Sequence, residues 1–359
     1  LKGVLSVGTL GLLPGAFLGG HLADFVGRKR VLMLSMLIYG VFSVATASTS
    51  SFATLATIRF LTGLGLGGAL PNLIALTTEA APRGQRNRAI SIMYAGMPLG
   101  GVIAALTGLF LAGSLGWHAV FYVGGVLPLL LLPVMYAALP ESQAFVHSTG
   151  PAKHPASIGN VLFEEGRLPI TLLLWVSCFF TLLVVYLLLN WLPSLLIGRG
   201  LSHAQAGQVQ ILFNIGASIG SIAFGILMDR SAAKLPVIIM YGGILLSLLA
   251  LDGSGSFAAT LGSAATAGFF VVGGQLVLYA LAPGFYDVLM RGTGVGAAVG
   301  VGRLGAVTGP LAGGAILAQG LGSNFVLLAM MPGLLLAAIS ALMLVSRDPR
   351  PLQQDPLES

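Results

Sequence analysis

Two arginines, Arg59 and Arg303, stand within otherwise apolar stretches of the chain. A charged side chain at the centre of a bilayer costs roughly 2.5–3.5 kcal/mol on insertion scales, so each is a functional candidate by default. A guanidinium is planar and permanently charged, and it can hold a carboxylate through two parallel hydrogen bonds. The chemistry on offer is therefore recognition of an organic anion. Arg303 lies about ten residues into its stretch, roughly 15 Å at the helical rise and near the midplane. Arg59 lies nearer the outer face, where snorkelling or a bond to backbone carbonyls competes evenly with a substrate role. Amides and hydroxyls in such surroundings need partners, which marks Asn72, Asn190, Asn214, Gln275 and Tyr279 as further candidate ligands. Trp175, Phe179, Phe180, Tyr186 and Trp191 could hold a ring, but each taken singly reads better as core or lipid-facing.

The acids are informative by position. Asp24, Asp229 and Asp287 fall in loops, Asp252 at an outer span end and Glu79 at an inner one, and none lies deep in an apolar stretch. Proton coupling usually needs a titrating group on the pathway, and Glu79 is the best visible one. The five histidines fall at span ends or in loops. The single cysteine, Cys178, excludes an internal disulfide framework and a cysteine metal cluster, so no metal or cofactor is expected.

What positions these residues follows from composition. Of 359 residues, 56% are hydrophobic and 8% charged. A soluble domain carries about 25% charged residues, so a water-soluble enzyme, a disordered chain and a nucleic-acid binder are excluded. About 20 apolar residues cross a bilayer as a helix. Such stretches number about eleven, near 3–22, 31–50, 53–76, 89–112, 118–139, 168–190, 205–228, 235–251, 257–283, 293–319 and 324–346. They are continuously apolar, not alternating, so the class is all-α integral membrane. Of 17 basic residues, only Lys2 and Arg199 fall on one side, Arg59 and Arg303 fall within spans, and the remaining 13 share the other side. That side is cytoplasmic by the positive-inside rule, which accounts for the net +6 and places the C-terminus in the cytoplasm. An odd span count then puts Leu1 outside, and the expectation is a chain lacking a first transmembrane helix.

The long polar loop with Pro140, Pro151 and Pro155 divides the chain. An incomplete N-terminal bundle is expected over 1–139, a central loop over 140–167, a six-helix bundle over 168–346 and a cytoplasmic tail over 347–359. The halves echo each other. Gly20-His21-Leu22-Ala23-Asp24 followed by Arg28-Lys29-Arg30 recurs as Gly225-Ile226-Leu227-Met228-Asp229 followed by Arg230, and Arg88 recurs as Arg291. The aspartates lie 205 positions apart and the arginines 203, which indicates a duplicated unit. An aspartate at such a turn can pair with a basic residue or a helix N-terminus of the other half. Asp24, Arg28, Arg88, Asp229, Arg230 and Arg291 are therefore expected to form a conformational latch.

The glycine-framed loop resembles the signature of the major facilitator superfamily. The finer resemblance is to its aromatic acid:proton symporters, carried by Arg59 to Gly67, Pro71 to Glu79, Leu188 to Pro193, and Gly294 to Gly296 with Gly300 to Gly305. Phe25 departs from the loop pattern, where the superfamily usually has Arg. The resemblance implies the major facilitator fold: two pseudo-symmetric helix bundles, twelve helices with eleven visible here. It also implies import of a small aromatic carboxylate, such as 3-(3-hydroxyphenyl)propionate, with a proton, by a monomer in the inner membrane. The family's first helix carries an acidic stretch that is not seen here, an alternative home for the proton carrier. The nearest rival is a proton-coupled exporter of drugs or other small molecules. Exporters tend to carry Gly-Pro-x-x-Gly-Gly in the fifth helix; the matching span here has Gly96-Met97-Pro98-Leu99-Gly100-Gly101, and the fitting run, Gly309 to Gly314, is in the second half. A membrane enzyme would need a convergent acid–base or metal constellation, for which the spans hold too few acids and histidines.

Overall fold

The computed structural model describes residues 2–82, 85–141, 162–163, 166–286 and 291–347. The side chains of Asp24, Glu79 and Arg291, most of the expected central loop and nearly all of the expected tail lie outside the described residues. Every regular element described is helical. The chain runs through α1 (Lys2–Val26), α2 (Arg28–Thr46), α3 (Phe52–Ala80), α4 (Arg86–Leu115) and α5 (His118–Ala138). It continues with α6 (Leu168–Ile197), α7 (His203–Arg230), α8 (Lys234–Asp252), α9 (Phe257–Gly268) and α10 (Gly274–Leu281). Last come α11 (Arg291–Ala318), α12 (Ser323–Ala329) and α13 (Met331–Val345).

Ten stretches, from α2 onward, are long and apolar enough to cross a membrane, and α1 has the length, 25 residues. Two of the expected spans are interrupted. The stretch near 257–283 is α9 and α10 joined by a π-helical turn, Phe269–Gly273. The stretch near 324–346 breaks between α12 and α13 at Met330, because Pro332 has no N–H to continue the ladder. Helix starts are set by local chemistry. Ser51 and Ser256 accept from Thr54 and Ala259 N–H, and Ser202 with Gln205 forms a capping box at the head of α7.

Glycine explains how apolar helices hold together where lipid tails are as apolar as leucine. Gly11, Gly15 and Gly19 recur every four residues on α1 and lie against the backbone of Phe60, Leu64 and Gly68 of α3. Gly63 and Gly67 of α3 return the contact onto Gly8 and Leu12, and a Cβ at these positions would meet backbone atoms. The same device joins α7 to α9 through Gly216 and Gly268, and α11 to α6 through Gly305 and Gly309. The pairings repeat between the halves. α1 with α3 corresponds to α7 with α9, and α2 with α5 to α8 with α13. Among the described residues the most extensive pairings that cross between the halves are α4 with α7 and α1 with α11. Along the first, Ser218 Oγ donates to the Ala95 carbonyl at 3.3 Å, and Gly225 leaves room for Ser91.

Gly15→Ala and Gly309→Ala should each lower the thermal midpoint of the purified protein, corresponding to about 1–3 kcal/mol of overpacking. Gly100→Ala should not, since nothing lies within 4 Å of a Cβ there; a light-scattering melt in detergent compares the three.

Candidate anion-binding site

Arg303 occupies the middle of α11 and is 6% exposed. Gly302 and Gly305 on either side bring α11 close to α6 at Leu182 and Phe179. That approach lets Arg303 Nη1 donate to the Tyr186 hydroxyl of α6 at 2.5 Å, with the guanidinium 5.9 Å from the Tyr186 ring centroid. Tyr279 of α10 and Tyr94 of α4 also lie within electrostatic reach of the guanidinium. Gln275, one helical turn before Tyr279, donates from Nε2 to its hydroxyl at 2.8 Å. Tyr94 approaches Tyr279 from the other half of the molecule, with ring centroids 5.9 Å apart at 49°. Four helices thus converge on one cationic group.

The π-turn contributes to this convergence. Five residues per hydrogen-bonded step instead of four insert one residue into the helical period, which turns the following face by about 100°. Gln275 and Tyr279 follow directly, and Gly273 and Gly274 let the turn sit against Gly220 and Met240.

No described carboxylate forms an ion pair with Arg303; the described salt bridge joins Arg199 Nη2 to Asp252 at 2.7 Å, at the ends of α6 and α8. A buried guanidinium keeps its proton and carries a desolvation cost of several kcal/mol, which phenol oxygens offset only in part. The arrangement supplies a charged, donor-only end whose chemistry suits an anion with two oxygens. No group of three or more His, Cys, Asp or Glu able to hold a metal occurs among the described residues.

The other candidates have separate environments. Asn72 is buried, and its Nδ2 donates to the carbonyls of Gly19 at 3.2 Å and Gly68 at 2.9 Å, tying α1 to α3. Asn190 donates to the Tyr186 carbonyl at 2.7 Å, and Asn214 to that of Gln210 at 2.9 Å, with its Oδ1 against Gly101 of α4. Arg59 is half-buried over the Phe121 ring, 5.4 Å from its centroid, with Tyr39 nearby. Sequence reasoning brought forward Arg303, Gln275 and Tyr279, which meet. It gave no special weight to Tyr186 and passed over Tyr94. The rule applied to amides, that a polar atom in an apolar span needs a partner, would have found both phenols.

At the helix ends that carry most of the basic residues, Asp229 Oδ2 accepts the Arg88 backbone N–H at 3.2 Å, in the first turn of α4. A carboxylate there meets the unsatisfied donors and positive end of the helix. The corresponding pair, Asp24 with the start of α11, lies outside the described residues. Arg230 closes the last turn of α7. Beside Arg28, the Lys29 N–H donates to Glu141 Oε1 at 2.9 Å, and Lys29 Nζ to the Tyr136 carbonyl at 2.8 Å. Gly27, at φ +102°, permits this close passage of Glu141; a side chain would be strained there and would meet the carboxylate. Glu141 was not among the expected latch residues, although it follows Pro140 directly at the end of α5, on the side of the basic cluster.

Asn72→Ala should cost about 1 kcal/mol of stability, chiefly through the lost α1–α3 bond to the Gly19 carbonyl. Anion affinity, measured by calorimetry on the same preparation, should stay unchanged.

A profile for the Major Facilitator Superfamily matches residues 3–251 and 200–359. The chain is 48% identical to the 3-(3-hydroxy-phenyl)propionate transporter of Escherichia coli (strain K12), over 97% of its own length and 85% of the relative's. It is 37% identical to the gallate transporter of Pseudomonas putida, over 89% of the chain and 77% of the relative. It is 34% identical to the 4-hydroxybenzoate transporter PcaK of Pseudomonas putida, over 90% and 78%. Among solved structures, the proton:xylose symporter XylE bound to 6-bromo-6-deoxy-D-glucose superposes with a TM-score of 0.78 at 18% identity, covering 97% of this chain and 86% of that one. The apolar helices, the repeated pairing of the two halves and these matches agree: the chain belongs to the major facilitator superfamily.

Proposed function

We propose that the chain imports a small aromatic carboxylate, such as 3-(3-hydroxyphenyl)propionate, together with a proton. The observation that carries this reading is the buried Arg303 guanidinium, bonded to the Tyr186 phenol and ion-paired with no described carboxylate. An arriving carboxylate takes the remaining guanidinium donors through two oxygens, and the Tyr186 and Tyr279 rings offer apolar faces for its ring. Transport of aromatic acids by the similar proteins of Escherichia coli and Pseudomonas putida supports the same substrate class. The site lies where α4 of one half meets α10 of the other, so rocking of the halves opens it to one side and then the other.

Asp229 against the head of α4 acts in this scheme as a cytoplasmic latch, made in one orientation and broken in the other. Arg88, Arg230 and Arg28 stand at the same face, and Asp24 with Arg291 repeats the device by the duplicated sequence. Glu79 is assigned the proton. In this reading the protein works as a monomer in the inner membrane, and the distribution of basic residues supports a cytoplasmic C-terminus.

Arg303→Ala should reduce uptake of labelled 3-(3-hydroxyphenyl)propionate by about two orders of magnitude or more, with membrane insertion intact. Arg303→Lys keeps the charge without the fork and should lose about tenfold. Normal uptake by Arg303→Ala would refute the anchor, and uptake indifferent to a protonophore would refute proton coupling. Asp229→Asn, weakening the latch, should lower the maximal rate several-fold with little change in KM; the same assay reads both.

A further inference from the structure

The Arg303 region has two chemically different ends. The guanidinium and the Tyr186 hydroxyl, whose oxygen is already engaged by Nη1, offer donors only. Beside them, Tyr279 accepts from Gln275 Nε2 at 2.8 Å and keeps its own O–H to give. Gln275 Oε1 receives no bond from any described residue, which leaves an acceptor next to that donor. Tyr94 turns its hydroxyl toward Tyr279 from α4. This second end is neutral and offers both a donor and an acceptor. A carboxylate accepts only, so it suits the first end. A phenolic hydroxyl both donates and accepts, so it suits the second. The i, i+4 spacing of Gln275 and Tyr279 on α10 fixes the pair as a unit.

We infer that Gln275 and Tyr279, closed over by Tyr94, form a subsite that reads a hydroxyl on the ring of the aromatic acid anchored at Arg303. The inference rests on the anchor reading given above. With a hydroxylated acid, the ring O–H donates to Gln275 Oε1 and accepts from Tyr279. With an unhydroxylated acid these groups are buried without partners, and affinity falls. Tyr94 comes from the other half, so the subsite is complete only while the halves are closed on each other.

Calorimetric binding of 3-(3-hydroxyphenyl)propionate and of 3-phenylpropionate to the purified chain tests this. Gln275→Leu and Tyr279→Phe should each weaken the hydroxylated acid by about 3- to 10-fold and leave the unhydroxylated one within about twofold. Tyr94→Phe, which keeps the ring, should lower the preference in the same direction. If Tyr279→Phe and Gln275→Leu weaken both acids by the same factor, or neither, the subsite is overturned. Arg303→Gln separates the two readings, since it should weaken both acids alike. If both acids bind Arg303→Gln normally, or neither binds the unaltered chain, the anchor reading is overturned and the subsite with it.

Discussion

Hydrocarbon offers no hydrogen-bonding partner, and most of what the chain does with its polar groups follows from that constraint. Backbone groups are satisfied within helices. Hydroxyls turn back onto their own helix, as Thr62 does to the Ile58 carbonyl, Thr107 to Ile103 and Ser221 to Ala217. Asn72 is satisfied by two carbonyls where α1 and α3 touch. Where helices meet, glycine removes side chains and lets backbones approach, so dispersion replaces the hydrophobic effect that lipid cannot supply. Two buried atoms among the described residues have no partner, Trp175 Nε1 and Gln210 Oε1. Set against this economy, Arg303 is the exception that defines the site. Its charge persists at any physiological pH, and the phenols around it provide dipoles only.

The duplication sharpens the contrast. Applying the spacing between Arg88 and Arg291, the position equivalent to Arg303 in the first half is Gly100. Nothing lies within 4 Å of a Cβ at Gly100, whereas Arg303 is packed between α6 and α10. One scaffold was used twice, and the charge was placed in one copy. The first half brings a neutral ring, Tyr94, to the same place. The buried charge and the ring brought up to it thus come from different halves.

Much of this was legible in the sequence where a rule is local and strong. Continuous apolar runs located the helices to within several residues at most ends, because their length is set by the bilayer and not by packing detail. Arg303 stood out because a charge in such a run is rare. The Asp229 contact with the head of α4 was legible from the repeat, since the same residues return at nearly one spacing. Other features were not. The π-turn at Phe269–Gly273 changes which face Tyr279 presents, and it depends on Gly220 and Met240 from neighbouring helices. Tyr186 and Tyr94 carry an apolar body, so hydropathy counts them as ordinary membrane residues. Asn72, Asn190 and Arg59 passed the rule for costly polar groups, but that rule says a partner exists and not which one.

The seam between α4 and α7 has a mechanical consequence. The polar contacts described across it run from a side chain to a backbone group: Ser218 to the Ala95 carbonyl, and Asp229 to the Arg88 N–H. Backbone groups on one face of a helix recur about once per turn, roughly every 5.4 Å, and differ little from one to the next. The next carbonyl facing Ser218 in the same way therefore lies a full turn from that of Ala95. Small residues such as Ser91, Gly101 and Gly225 raise few ridges across the seam. The seam is therefore held in register by contacts to single backbone groups, with little interlocking of side chains between them.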